Sequence, residues 1–128
     1  MIKIELPVYY AISSKKTILV GANFARSKAH YFTLNKLKQH YHKLVADKLS
    51  EFEPIGGQFK VKYVYYYKNI SSDGSNVVSQ IEKYFLDSAQ SIGLVKNDNV
   101  KYHIGSSWEV GFCDKENPRM EVYIKEVE

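Results

Sequence analysis

At 128 residues, 45% hydrophobic and 25% charged, the chain is long enough for one core and too apolar to stay disordered. A net charge of +4 and a pI of about 9.0 lean toward a polyanionic partner without identifying one. No apolar run can span a bilayer, no signal-like stretch follows Met1, and the single Cys113 excludes an internal disulfide or a thiolate metal cluster, so a cytoplasmic protein is expected.

In chain order, Ile2 to Leu6 alternates and predicts a short strand stopped at Pro7. Tyr9 to Ser14 fits strand or loop. Ser13-Ser14-Lys15-Lys16 reads as a turn, and Thr17 to Val20 as a short extended run. Residues 21–28 read as a loop with two cations, Arg26 and Lys28, suited to phosphates or simply to solvent. Thr33 is placed to cap a helix. Leu34, Leu37, Tyr41, Leu44, Val45 and Leu49 then recur at three- and four-residue spacing as one stripe. His40 and His42 lie two apart and share no helix face, which argues against zinc.

Phe59 to Lys68 is the clearest strand. Phe59, Val61, Tyr63, Tyr65 and Tyr67 share one face, and Lys60, Lys62, Val64, Tyr66 and Lys68 the other. Tyrosine is over-used, at 11 residues, which suits a sheet and equally suits base stacking or a wet dimer interface. A polar turn, Asn69 to Asn76, leads to a helix expected to start near Ser75 or Asn76. Val77, Val78, Ile81, Tyr84, Phe85, Ser88 and Ile92 form its apolar side, Lys83 and Asp87 are spaced to pair, and Gly93 ends it. Val100 to Phe112 and Met120 to Val127 read as strands around the Asp114–Pro118 turn, expected to form a hairpin. The expected fold is α+β: a small mixed β-sheet packed against two main helices, one domain over residues 1–128.

No nucleophile elbow, phosphate loop or HExxH occurs, which leaves carboxylate chemistry. Asp73 precedes the second helix and Asp98 precedes the following strand. They converge if the helix packs back across the sheet, and two or three carboxylates suffice for magnesium. The alternative is that both are ordinary turn aspartates, with Glu82, Lys83 and Asp87 as solvated helix residues.

The stretch D-G-S-N-V-V-S-Q-I-E-K-Y-F-L-D, Asp73 to Asp87, resembles the RusA family of phage and prophage Holliday junction resolvases. The resemblance continues through Ile92-Gly93, K-N-D-N at Lys96 to Asn99, V-K-Y-H-I at Val100 to Ile104 and the closing R-M-E-V-Y-I. It covers the second half of the chain well and the first half loosely. It implies a magnesium-dependent endonuclease that cuts branched DNA, a four-way junction, as a homodimer. Asp73, Lys83 and Asp98 match catalytic positions, with Asp73 and Asp98 as magnesium ligands. Ser75 stands where the family has a second aspartate, and Glu82 is the candidate replacement ligand. Lys15, Lys16, Arg26, Lys28 and Lys68 are candidate phosphate contacts on charge and loop position. Two other readings stand beside it. One is a branched-DNA-binding protein of the same fold without catalysis. The other is an RNA or single-strand-binding module using Lys62 and Tyr66.

Overall fold

A computed structural model describes residues 1–21, 24 and 31–127. The strands are β1 (Ile2–Pro7), β2 (Tyr9–Ser13), β3 (Lys16–Leu19), β4 (Phe59–Tyr66), β5 (His103–Val110) and β6 (Arg119–Glu126). The two described helices are α1 (Tyr31–Leu49) and α2 (Gly74–Ser91). β2 and β3 form a separate antiparallel hairpin, the outcome of the ambiguous Tyr9–Ser14 stretch. The other four strands make one mixed sheet in the order β1-β6-β4-β5. The chain is thus a small single-domain α+β fold with a mixed sheet and two helices. Among the described residues no helix is long and apolar enough to cross a membrane.

Alternation decides the layers. Ile4, Leu6, Phe59, Val61, Tyr63, Tyr65, Met120, Val122 and Ile124 point to one face and are buried. The stripe of α1 (Leu37, Tyr41, Val45, Leu49) and that of α2 (Val77, Ile81, Tyr84, Phe85) join this core. Tyr41 stacks on Tyr84 with ring centroids 5.2 Å apart, and its hydroxyl donates to the Pro7 carbonyl at 2.6 Å. Burial pushes the Tyr41 phenol far above its ordinary value, with the neighbouring Tyr84 adding to it, so it acts here only as a donor. Tyr41→Phe should cost about 1–2 kcal/mol by stranding that carbonyl, read as a lower urea midpoint at unchanged slope.

The expected C-terminal hairpin does not form. β6 lies between β1 and β4 and is antiparallel to both, while β5 pairs with β4 in parallel on the far side. A parallel pair needs a crossover, and α2 with the loop after it supplies one. The chain returns from β5 to β6 across the end of β4, held by Gly111 N–H to the Tyr65 carbonyl and Asp114 N–H to the Tyr67 carbonyl, both 2.8 Å. Boundaries also shift. α1 starts at Tyr31, ahead of the expected Thr33 cap, and β5 starts at His103 rather than Val100. α2 is capped by Asp73, not by Ser75 or Asn76. Its other end closes as expected, on Gly93 in the left-handed region at φ 81°.

Candidate functional site

Asp73 stands at the N-terminus of α2. Its Oδ1 accepts from Ser75 Oγ at 3.0 Å and from the Asn76 amide at 3.4 Å. One oxygen therefore satisfies the helix end, and a carboxylate there is favoured by the aligned peptide dipoles. Oδ2 carries no hydrogen bond among the described residues and faces solvent. Nearby, Ser72 Oγ is bonded to the Tyr65 hydroxyl at 2.7 Å, which ties this turn to the C-terminal end of β4.

Asp98 lies in the turn between α2 and β5. Asn97 Oδ1 accepts from the Asn99 amide at 2.9 Å, and Asn99 Oδ1 accepts from the Lys101 amide at 3.0 Å. The two asparagines thus do the work a turn aspartate usually does. The Asp98 side chain between them is exposed and makes no hydrogen bond or ion pair among the described residues. The turn is anchored at the opposite end of β4. Val95 bridges Ile55, and His103 stands in register with Phe59.

The expected convergence of Asp73, Glu82 and Asp98 is therefore absent within one chain. α2 has 18 residues and so spans about 27 Å. It runs antiparallel to β4 and β5, so it delivers Asp98 to the end of the sheet remote from Asp73. Glu82 sits midway along α2, about 13 Å from Asp73 along the axis and on the opposite side of the helix. Among the described residues, no three His, Cys, Asp or Glu side chains gather as a metal site.

Glu82 has another partner. Its Oε2 accepts from Ser106 Oγ on β5 at 2.7 Å, and Ser106 Oγ lies 2.7 Å from His103 Nε2. Ser106 has one hydrogen and gives it to Glu82, so His103 Nε2 must be the donor in its pair. This chain of bonds fastens β5 to α2. The hydroxyl of Tyr63 is fully buried and completes no hydrogen bond among the described residues. Burial, then the nearby Glu82 charge, pushes that phenol well above its ordinary value. Lys83 and Asp87 are exposed on α2 and do not form the ion pair their spacing allows. Lys83 projects from the same side of the helix as Asn76.

The candidate phosphate contacts are dispersed. Lys15 is exposed on the β2–β3 turn and Lys16 at the start of β3, and Lys68 lies after β4, its Nζ 5.6 Å from the Tyr9 ring centroid. Arg26 and Lys28 fall outside the described residues. The sheet face away from the helices carries Lys60, Lys62, Tyr66, Tyr123 and Lys125. Its two residues named for single-strand binding are already engaged. Lys62 pairs with Glu109 at 2.9 Å, and the Tyr66 ring is covered by the Arg119 guanidinium at 4.0 Å and met edge-on by Phe112. Arg119 also binds Asp114 at 2.9 Å, the buried Glu121 at 3.2 Å and Glu5 at 3.8 Å. Tyr123 donates to Glu121 at 2.7 Å, and this bond, with some burial, pushes its phenol up to about 12.

One feature near Asp73 was not read from the sequence. Trp108 projects from β5 onto the backbone of Gly74, where a Cβ would meet the indole at 2.9 Å. No sequence signal marked it, because the β4–β5 pairing sets its place: Trp108 stands in register with Tyr63, on the helix side of the sheet. No protein-family model matches this chain, and no curated protein matches it.

Proposed function

We propose that two copies of this chain act together as a magnesium-dependent, structure-specific DNA endonuclease that cuts four-way junctions, as the resemblance to the RusA family implies. The setting would be recombination, repair or phage DNA processing in the cytoplasm. The observation that carries the reading is Asp98, an exposed carboxylate relieved of turn duty by Asn97 and Asn99.

A homodimer resolves the separation of the two aspartates. Among the described residues β5 is an edge strand with one side unpaired, and it exposes Ile104 and Val110, with Phe112 just beyond. Two-fold, antiparallel pairing of β5 with the same strand of a second copy reverses one protomer against the other. Asp73 of each protomer then shares an end of the joined sheet with the partner's Asp98. Carboxylate oxygens from these two residues are the donor type magnesium takes, with water completing its shell. Bound there, the ion would neutralise phosphodiester charge and make a water nucleophilic. The two sites would be related by the same two-fold as the strands of a junction. Lys83, on the outer side of α2, adds positive charge toward a phosphate. Glu82 holds Ser106 and β5 rather than a metal.

Labelled four-way junctions incubated with and without magnesium test the activity. Paired nicks in opposite strands that require the ion are expected, and a junction left whole at every magnesium concentration would overturn it. The dimer has its own test. Ile104→Lys combined with Val110→Lys should sediment as a monomer and lose cleavage together. A wild-type protein that is monomeric while cutting would refute the two-fold.

Ser75 favours a second reading, a junction-binding protein without catalysis. Its hydroxyl occupies an oxygen of Asp73 where the family has another carboxylate. That protein would bind junctions with a steep salt dependence and give no product.

A further inference from the structure

Between the loop after β4 and the end of β5 lies a cavity of about 210 Å³. Its walls are Tyr65, Tyr67, Trp108, Val110 and the bare backbone of Gly74, with Ile70 at the rim. The tyrosine rings meet edge to face at 6.4 Å, and the Tyr65 hydroxyl is fixed by Ser72. The indole is 43% exposed although it rests on α2, and Ile70 is 89% exposed. The cavity is below the roughly 300–1,000 Å³ of sites for drug-sized ligands and suits one planar ring system. Asn69 and Ile70 also line a second hollow, with Tyr9, Lys68 and Lys115. An aromatic slot thus adjoins a cationic shelf, with Asp73 one residue from the slot wall.

We propose that this slot takes one unstacked nucleobase of a DNA strand, stacked on Trp108, with the adjoining backbone phosphates on Lys68 and Lys115. The charge complementarity of the shelf selects a nucleic acid over an uncharged aromatic ligand. An aromatic slot tolerates any base, because every base has a π-face. Ile70 stands at the mouth as an apolar wedge of the kind that separates stacked bases. The inference rests on the nuclease reading for its substrate and identifies where that substrate is gripped. A four-way junction offers bases at its crossover that stack less firmly than those of continuous duplex, so opening one there costs less.

The chain has a single tryptophan, so its emission reports on this slot alone. The wild-type protein is titrated in EDTA with a single-stranded DNA decamer and with an abasic decamer of the same length and charge. Quenching by the base-bearing strand and not by the abasic one is expected. Trp108→Ala should weaken binding of the base-bearing strand roughly tenfold or more, the scale of one lost base–aromatic stack. Gly74→Ala is the independent variant. Alanine favours the first turn of a helix, so folding is kept, but its Cβ displaces the indole and affinity should fall as well. Lys68→Ala with Lys115→Ala should weaken both strands equally and flatten the salt dependence.

Equal quenching by the abasic strand, or none by either, would overturn the proposal. Because no magnesium is present, the two ideas fail separately. Base-dependent quenching without junction cleavage would sink the nuclease and leave the slot, and cleavage without quenching would do the reverse.

Discussion

Asp98→Asn is expected to lower magnesium-dependent junction cleavage at least 100-fold while leaving junction binding and thermal stability in place. An ion held by two carboxylates loses half of its charged protein ligands, and several kcal/mol of transition-state stabilisation go with them. The separation of activity from stability follows from the turn. Asp98 makes no bond among the described residues, because Asn97 and Asn99 close the chain around it. Its amide analogue should therefore change stability by no more than about 0.5 kcal/mol. Asp73→Asn gives a matched control. Asparagine caps a helix as well as aspartate does, so α2 stays capped while a negatively charged oxygen is lost. Both variants should melt with the wild type and fail to cut. Undiminished cleavage by Asp98→Asn would show that the acid turn is not part of the site.

Arg119→Met is expected to give the largest loss of stability, about 3 kcal/mol at neutral pH, because it leaves a buried carboxylate short of its main cation. Glu121 is only 4% exposed. Burial alone would push its carboxyl upward. Bonds from Tyr123 and Arg119, with the charges of Lys3 and Arg119, outweigh that and hold it below the ordinary range. A depressed native value means that this stabilisation is present above the unfolded carboxylate value. It is lost as pH falls through the native one, so wild-type stability should decline below about pH 4. In Arg119→Met the carboxyl returns toward neutrality at higher pH, and the gap to wild type should narrow on acidification. Adding Glu121→Gln should recover much of the loss at pH 7. Thermal melts from pH 3 to 8 would show both effects, and a gap independent of pH would assign the loss to the Tyr66 packing instead.

The elements were legible where periodicity is strong. The alternation of Phe59 to Lys68 and of Met120 to Val127 marked the two central strands, observed over Phe59–Tyr66 and Arg119–Glu126, and the stripe from Val77 to Ile92 marked α2, observed over Gly74–Ser91. Pairing order was not legible, since a short turn at Asp114 to Pro118 reads as a hairpin whether or not its flanking strands touch. What decided against it is non-local: β4 takes β6 on one side and β5, through a crossover, on the other. The cap of α2 was misplaced because Asp73, Ser75 and Asn76 are all good caps and lie within three residues. The carboxylates of the candidate site were visible as turn residues. Their distance was not, for the same crossover that places β5 beside β4 carries Asp98 to the far end of α2. The bond between Glu82 and Ser106 was not legible, because the two lie 24 residues apart, beyond the reach of helix spacing.

Mixing the two inactive proteins, Asp73→Asn and Asp98→Asn, tests the shared site most directly. After subunit exchange, half of the dimers are mixed. Each mixed dimer carries one site with both aspartates intact and one with neither, so nicking should return to roughly a quarter of the wild-type rate. The nicks should fall on one strand of each junction rather than on two. If both aspartates belonged to the same chain, every site in the mixture would lack one of them, and a mixture as inactive as its components would contradict a site built across the two-fold.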